Sequence, residues 1–75
     1  NNSITETLLR GNVGVGVSPT SAMDVNGDIE TLSTGAFYFG DPTTDGTWRI
    51  KRNGNNLLFE RRESGAYVTK STISA

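Results

Sequence analysis

Between Gly11 and Val17 the chain alternates valine with glycine, Val13-Gly14-Val15-Gly16-Val17, and no other stretch limits the fold so strongly. Period two sends the valines to one face of an extended strand and leaves the other face without side chains, so a second backbone can approach closely. Ser18-Pro19-Thr20-Ser21 then interrupts the strand, because Pro19 lacks an amide donor and the hydroxyls favour local hydrogen bonds. Met23 and Val25 resume the alternation around Asp24, and Asn26-Gly27 separates them from Asp28-Ile29-Glu30-Thr31-Leu32. Asn-Gly between alternating runs is the strongest short-range hairpin signal, so a hairpin is expected there.

The later sequence also reads as strand and turn. The aromatic cluster Phe37-Tyr38-Phe39 is followed by a turn at Gly40-Asp41-Pro42. Strands are expected at Thr47 to Arg52, Leu57 to Arg62 and Ala66 to Ile73, with turns at Asn53 to Asn56 and at Glu63-Ser64-Gly65, which makes a three-stranded antiparallel meander. Trp48, Ile50, Phe59 and Val68 are placed on its buried side. Only Asn1 to Arg10 suggests a helix, with Ile4, Leu8 and Leu9 on one face and Ser3 with Glu6 as a capping box, although an extended end fits as well. Elsewhere the strong helix formers never accumulate. The expected class is all-β, divided into a stalk-like segment over 1–34 and a meander region over 35–75.

Such a chain has little with which to build a core. It has 75 residues, 33% of them apolar, against roughly 45–50% in an ordinary domain. Cysteine and histidine are both absent, which removes disulfides and structural zinc and leaves oligomerisation as the usual remedy for a small core. Val13, Val15, Val17, Met23, Val25 and Ile29 are therefore expected to pack against copies of the same chain. A net charge of -1 gives no field to steer nucleic acid or an anionic membrane, and no apolar run approaches the roughly 20 residues of a spanning helix. The absence of thiols does not decide the redox compartment. Because Asn1 stands first, without a basic start or an apolar targeting segment, the chain reads as a fragment or a processed product.

Gly11 to Gly27, with its Gly/Val alternation, Ser-Pro break and Met-Asp-Val-Asn-Gly turn in order, resembles a segment recurrent in bacteriophage tail fibres and related fibrous adhesins. Met23 stands where that family usually carries Leu, a change that conserves volume. Asp45-Gly46-Thr47-Trp48-Arg49-Ile50 through Gly65-Ala66-Tyr67-Val68-Thr69-Lys70 is similar to the ends of phage fibre proteins. The resemblance implies an intertwined or closely packed homotrimeric β fibre on a virion, outside the cell, joined to other fibre or tail proteins and contributing to host attachment. The self-cleaving activity of some such fibres is not carried over, because these residues hold no chaperone or peptidase domain.

Several residue groups invite chemistry. Asp24-Val25-Asn26-Gly27-Asp28-Ile29-Glu30 imitates the start of a calcium loop, but Gly35 occupies the twelfth position, where a bidentate Glu is required. A hairpin with solvated acids is the favoured reading. The glycines of Gly11 to Gly16 lack the spacing of a phosphate-binding loop, and no helix pattern follows them. Asp41, Asp45, Glu60 and Glu63 offer carboxylates for glycoside cleavage, or simply solvated charges on turns and edges. Arg49, Lys51, Arg52, Arg61 and Arg62 form a basic concentration that either protects a sheet edge or meets an acidic host glycan, with Arg49, Lys51 and Arg61 as the candidate receptor-facing residues. Trp48 and Tyr67 can stack on sugar rings, and both also suit a core. The expected function is a structural, receptor-binding fibre segment that is not an enzyme and has no cofactor or metal. A polysaccharide-processing fibre module and a calcium-stabilised bacterial adhesin are the alternatives.

Overall fold

The computed structural model describes residues 10–75; the helix considered for Asn1 to Arg10 lies almost wholly outside them. The described residues contain six strands and no helix: β1 (Val13–Val15), β2 (Met23–Val25), β3 (Ala36–Phe39), β4 (Trp48–Asn53), β5 (Asn56–Glu63) and β6 (Ala66–Ile73). They fall into two compact units, Asn1–Glu30 and Thr31–Ala75.

In the first unit β1 and β2 pair in parallel, with Val13 opposite Met23 and Val15 opposite Val25. The hairpin expected at Asn26-Gly27 does not form, and Asp28 to Leu32 lie in no strand. The cause is visible in the hydrogen bonds of Asn26. Its backbone N–H donates to the Val15 carbonyl at 2.9 Å, and its side-chain Nδ2 donates to the Gly16 carbonyl at 3.4 Å, so the dipeptide closes the parallel pair. The strand expected to run through Val17 also ends at Val15, because Gly16 turns into the left-handed region at φ 71°.

Gly14 explains how so short a connection returns the chain in parallel. A Cβ there would fall on the Val17 carbonyl oxygen and 2.7 Å from Pro19 Cδ. The backbone that the bare glycine face was expected to admit is thus the chain's own Val17 to Pro19 turn. On the same face, Asp24 Oδ2 accepts from Thr20 N and Thr20 Oγ1, both at 3.3 Å. One side of the ribbon is closed by its own loop, and Val13, Val15, Met23 and Val25 line the other.

The second unit is a four-stranded antiparallel sheet in the order β3-β4-β5-β6, one strand more than expected. The aromatic cluster supplies the addition: Phe37 pairs with Ile50 and Phe39 with Trp48 across the Gly40 to Thr47 loop. That loop is fixed by Thr47, whose Oγ1 donates to the Asp41 carbonyl at 2.7 Å and which is buried. The tight turns follow the φ each demands. Gly54, at φ 62°, takes the first central position between β4 and β5, as a type II′ turn requires, and Ser64 with Gly65, at φ 51° and 82°, makes a type I′ turn between β5 and β6.

Candidate functional site

Residues opposite one another in an antiparallel pair share a face, so the register sorts every side chain of the sheet. One face carries Tyr38, Arg49, Lys51, Leu58, Glu60, Tyr67 and Thr69, with others; the other carries Phe37, Phe39, Trp48, Ile50, Leu57, Phe59, Val68 and Ile73, together with Arg52, Arg61 and Ser71.

The polar face is closed by its own side chains. Arg49 Nε donates to Glu60 Oε1 at 2.7 Å, Thr69 Oγ1 donates to Glu60 Oε2 at 2.9 Å, and Arg49 Nη1 donates to the Tyr38 hydroxyl at 3.4 Å. The guanidinium also lies 3.8 Å from the centre of the Tyr67 ring, which meets Tyr38 edge to face at 6.0 Å. Tyr67 is in turn anchored by donating its hydroxyl to the Pro42 carbonyl at 2.8 Å. Burial pushes the Glu60 carboxyl upward, but the bonds from Arg49 and Thr69 outweigh it and leave the group below its ordinary value. Burial likewise disfavours the Arg49 charge, and the bonds to Glu60 and Tyr38 reverse that effect. No buried polar side-chain atom lacks a partner among the described residues.

The apolar face is open. Phe39 is 62% exposed, Ile73 57%, Phe37 49% and Trp48 42%, while Leu58, on the polar face, is the sole apolar side chain that is buried among the described residues. The alternation therefore separates Trp48, Ile50, Phe59 and Val68 from Arg49 and Lys51 as read from the sequence, but within one chain Trp48 and Val68 are exposed and Ile50 and Phe59 are only partly buried. At one end of this face Leu32, Phe37, Ile50 and Leu57 line a shallow hollow of about 260 Å³.

The basic residues do not form one patch. Arg61 pairs with Trp48 and Arg49 with Glu60, so Arg61 lies on the apolar face, opposite from Arg49 and Lys51. Arg61 donates to Glu63 at 3.0 Å, and Lys70 meets the same carboxylate at 2.7 Å. Arg62 binds Asp45 at 2.8 Å, and Arg52 donates to the Gly54 carbonyl. Among the described residues Lys51 has no ion-pair partner. Of the three candidate receptor-facing residues, Arg49 is thus held inside the sheet's own network.

The carboxylates are similarly engaged. Glu60 and Glu63 lie on opposite faces and do not make a working pair. Lys70, then Arg61, hold Glu63 below its ordinary value, and the Thr43 backbone and hydroxyl do the same for Asp41. A general acid for glycoside cleavage needs its pKa raised. No three of Asp, Glu, His and Cys converge among the described residues. In the ribbon, Val15, Val17, Met23 and Ile29 are exposed in the single chain, and Val13 and Val25 are half-buried.

The contacts of Arg49 with Tyr38 and Tyr67 and the bond from Thr69 to Glu60 are not legible in the sequence, since each depends on register across strands. Comparison with protein-family models, curated proteins and solved structures finds no match.

Proposed function

We propose that this chain is a structural segment of a homotrimeric bacteriophage tail fibre, extracellular and carried on the virion, in which copies cover one another's apolar faces. One observation carries the reading: a sheet whose polar side is sealed by its own hydrogen bonds leaves six apolar side chains exposed on the other side, Phe37, Phe39, Trp48, Leu57, Val68 and Ile73, in a chain with one buried apolar side chain among its described residues. Exposed apolar side chains on this scale, on the order of 500 Å² given ordinary aromatic areas, reach the upper end of a monomer's largest patch. A chain this small gains roughly 3–5 kcal/mol from a single core, and here even that core is incomplete. Copies of the chain itself are present whenever it folds, which suits a cover needed for stability. The resemblance of Gly11 to Gly27 to fibre segments supports the number three and the virion setting. Val13, Val15, Val17, Met23, Val25 and Ile29 would contribute the packing of the stalk-like unit.

Host attachment belongs to the outward polar faces, where Lys51 keeps a free charge for an acidic surface glycan. The carboxylates of Glu60 and Glu63, ion-paired and held below their ordinary values, favour this binding role over polysaccharide cleavage. Light scattering at micromolar concentration is expected to give three times the chain mass, and a stable folded monomer sinks the proposal. Fluorescently labelled trimer that ignores host cells would remove attachment and leave the structural role.

A further inference from the structure

Both edges of the four-stranded sheet are open. β3 and β6 each have one strand neighbour among the described residues, and with three antiparallel pairings between them they run in opposite directions. Building on the homotrimer proposed above, we infer that the trimer is a closed triangular prism in which β6 of each chain pairs antiparallel with β3 of the next, with the Trp48 face inside.

Direction comes first. Rotation about an axis along the strands preserves strand direction, so β6 of one chain meets a β3 running the opposite way and the alternation continues around the ring without a break. Such a contact is heterologous and closes at three. An odd number of strands per chain would bring parallel edges together instead.

Width then selects the number of copies. Four strands spaced about 4.8 Å apart, counting one corner gap, make a side of about 19 Å; in a triangle of that side each sheet stands about 5.5 Å from the axis, close to half the roughly 10 Å at which sheets stack. In a square the distance becomes about 9.5 Å, which leaves a channel that these side chains cannot fill. The side chains are graded to suit a closed interior. Cross-strand rows read Phe39, Trp48, Arg61, Val68, then Phe37, Ile50, Phe59, Ser71, then Arg52, Leu57, Ile73. The middle row is uncharged. Arg61, which shares the Glu63 carboxylate with Lys70, lies toward one mouth of the prism, and Arg52 toward the other.

The edges fit as well. Followed across the ladder, Ala36 is level with Thr72 and Phe39 with Val68, so at one height β3 faces Val68 to Thr72 of its neighbour. The register shift opposite Phe59 and Glu60 leaves Lys70 as an extra residue within that stretch, and a bulge of this kind bends an edge where a corner has to turn.

Amide hydrogen exchange, read residue by residue by NMR on the trimer, tests the inference. In a lone edge strand alternate amides point to solvent and exchange quickly. The prism predicts continuous protection over Phe37 to Phe39 and Val68 to Thr72, with the outward amides slowed at least about 100-fold. Trimers made from differently isotope-labelled chains should also give contacts between β3 and β6 of different chains. A trimer whose outward edge amides exchange freely overturns the prism and leaves the homotrimer standing; a monomer removes both.

Discussion

The parallel ribbon around Gly14 and the antiparallel sheet around Glu60 solve the same problem with different means. Each closes one face with its own polar groups and leaves the other apolar and open. The ribbon does so with a glycine, a proline turn and one aspartate, and it relies on backbone contact that excludes any Cβ at Gly14. The sheet does so with long side chains, laying Arg49 between Glu60 and Tyr67. The contrast teaches that closure of a polar face is local, whereas cover for an apolar face has to come from outside such a small unit. Substitutions that act on the open faces should therefore change assembly, and those on the closed faces should change the stability of one unit.

The largest effect is expected at the middle row of the sheet. Ile50→Asp would put a carboxylate where the interior is to be dry, a cost of several kcal/mol for an unpaired charge. Native mass should fall to that of a monomer, and Val15→Asp tests the ribbon's open face in the same way. If Ile50→Asp remains a trimer of unchanged stability, the open face of the sheet is not the interface.

A smaller loss follows on the closed face of the sheet. Glu60→Ala leaves Arg49 without its carboxylate in a site where the two side chains are 19% and 9% exposed. Fully buried pairs lose about 3–5 kcal/mol when one partner is removed, and this partly covered one should lose about 2–3 kcal/mol, visible as a lower midpoint in urea. The same pair sets an acid limit. Because the Glu60 pKa is lowered in the folded chain, its contribution is complete above the ordinary glutamate value near ~4.3 and is lost as pH falls through the lower folded value. Glu60→Gln should flatten that part of the stability profile, and an unchanged acid slope would assign the limit to other carboxylates.

The ribbon supplies the next test. Gly14→Ala places a methyl group against the Val17 carbonyl and Pro19, so the turn has to shift, at a cost of about 1–3 kcal/mol. The loss should stay within the first unit. Faster exchange is expected for the Val13 and Asn26 amides, which bond to Ala22 and Val15, while the amides of β5 remain unchanged. Equal acceleration in both units would show that they unfold together.

What could be read from the sequence divides along the same line. The two tight turns of the sheet were legible because Asn53 to Asn56 and Glu63-Ser64-Gly65 each lie between runs that pair with one another, so local chemistry and tertiary pairing agree. At Asn26-Gly27 they disagree: the dipeptide has hairpin chemistry, but the Val15 and Gly16 carbonyls hold Asn26. The aromatic cluster was seen as a cluster, yet its place as β3 depends on pairing across the Gly40 to Thr47 loop, which local pattern does not encode. The basic patch failed for a related reason. Adjacent residues of a strand face opposite ways, so whether Glu60 or Arg61 meets Arg49 is decided by a one-residue difference in register. The open apolar face was legible in outline, since alternation alone separates Trp48 and Ile50 from Arg49 and Lys51.

The smallest expected effect tests turn chemistry directly. Ser64 is the one non-glycine residue with positive φ among the described residues, and it holds 51° at the first central position of the β5 to β6 turn. A serine has no preference for the left-handed region, whereas asparagine tolerates it, and Asn-Gly is the favoured type I′ pair. Ser64→Asn should therefore stabilise the sheet by about 0.5 kcal/mol through the turn alone. The midpoint in urea should rise slightly, with no change in native mass. Asn26→Ser is the complementary substitution, and it should weaken the ribbon by removing the bond from Nδ2 to the Gly16 carbonyl while leaving the hairpin turns untouched. If Ser64→Asn lowers stability instead, this turn is held by the Asp45 bond to the Gly65 amide, at 3.1 Å, and by Arg62, and the intrinsic preference of its first residue is secondary.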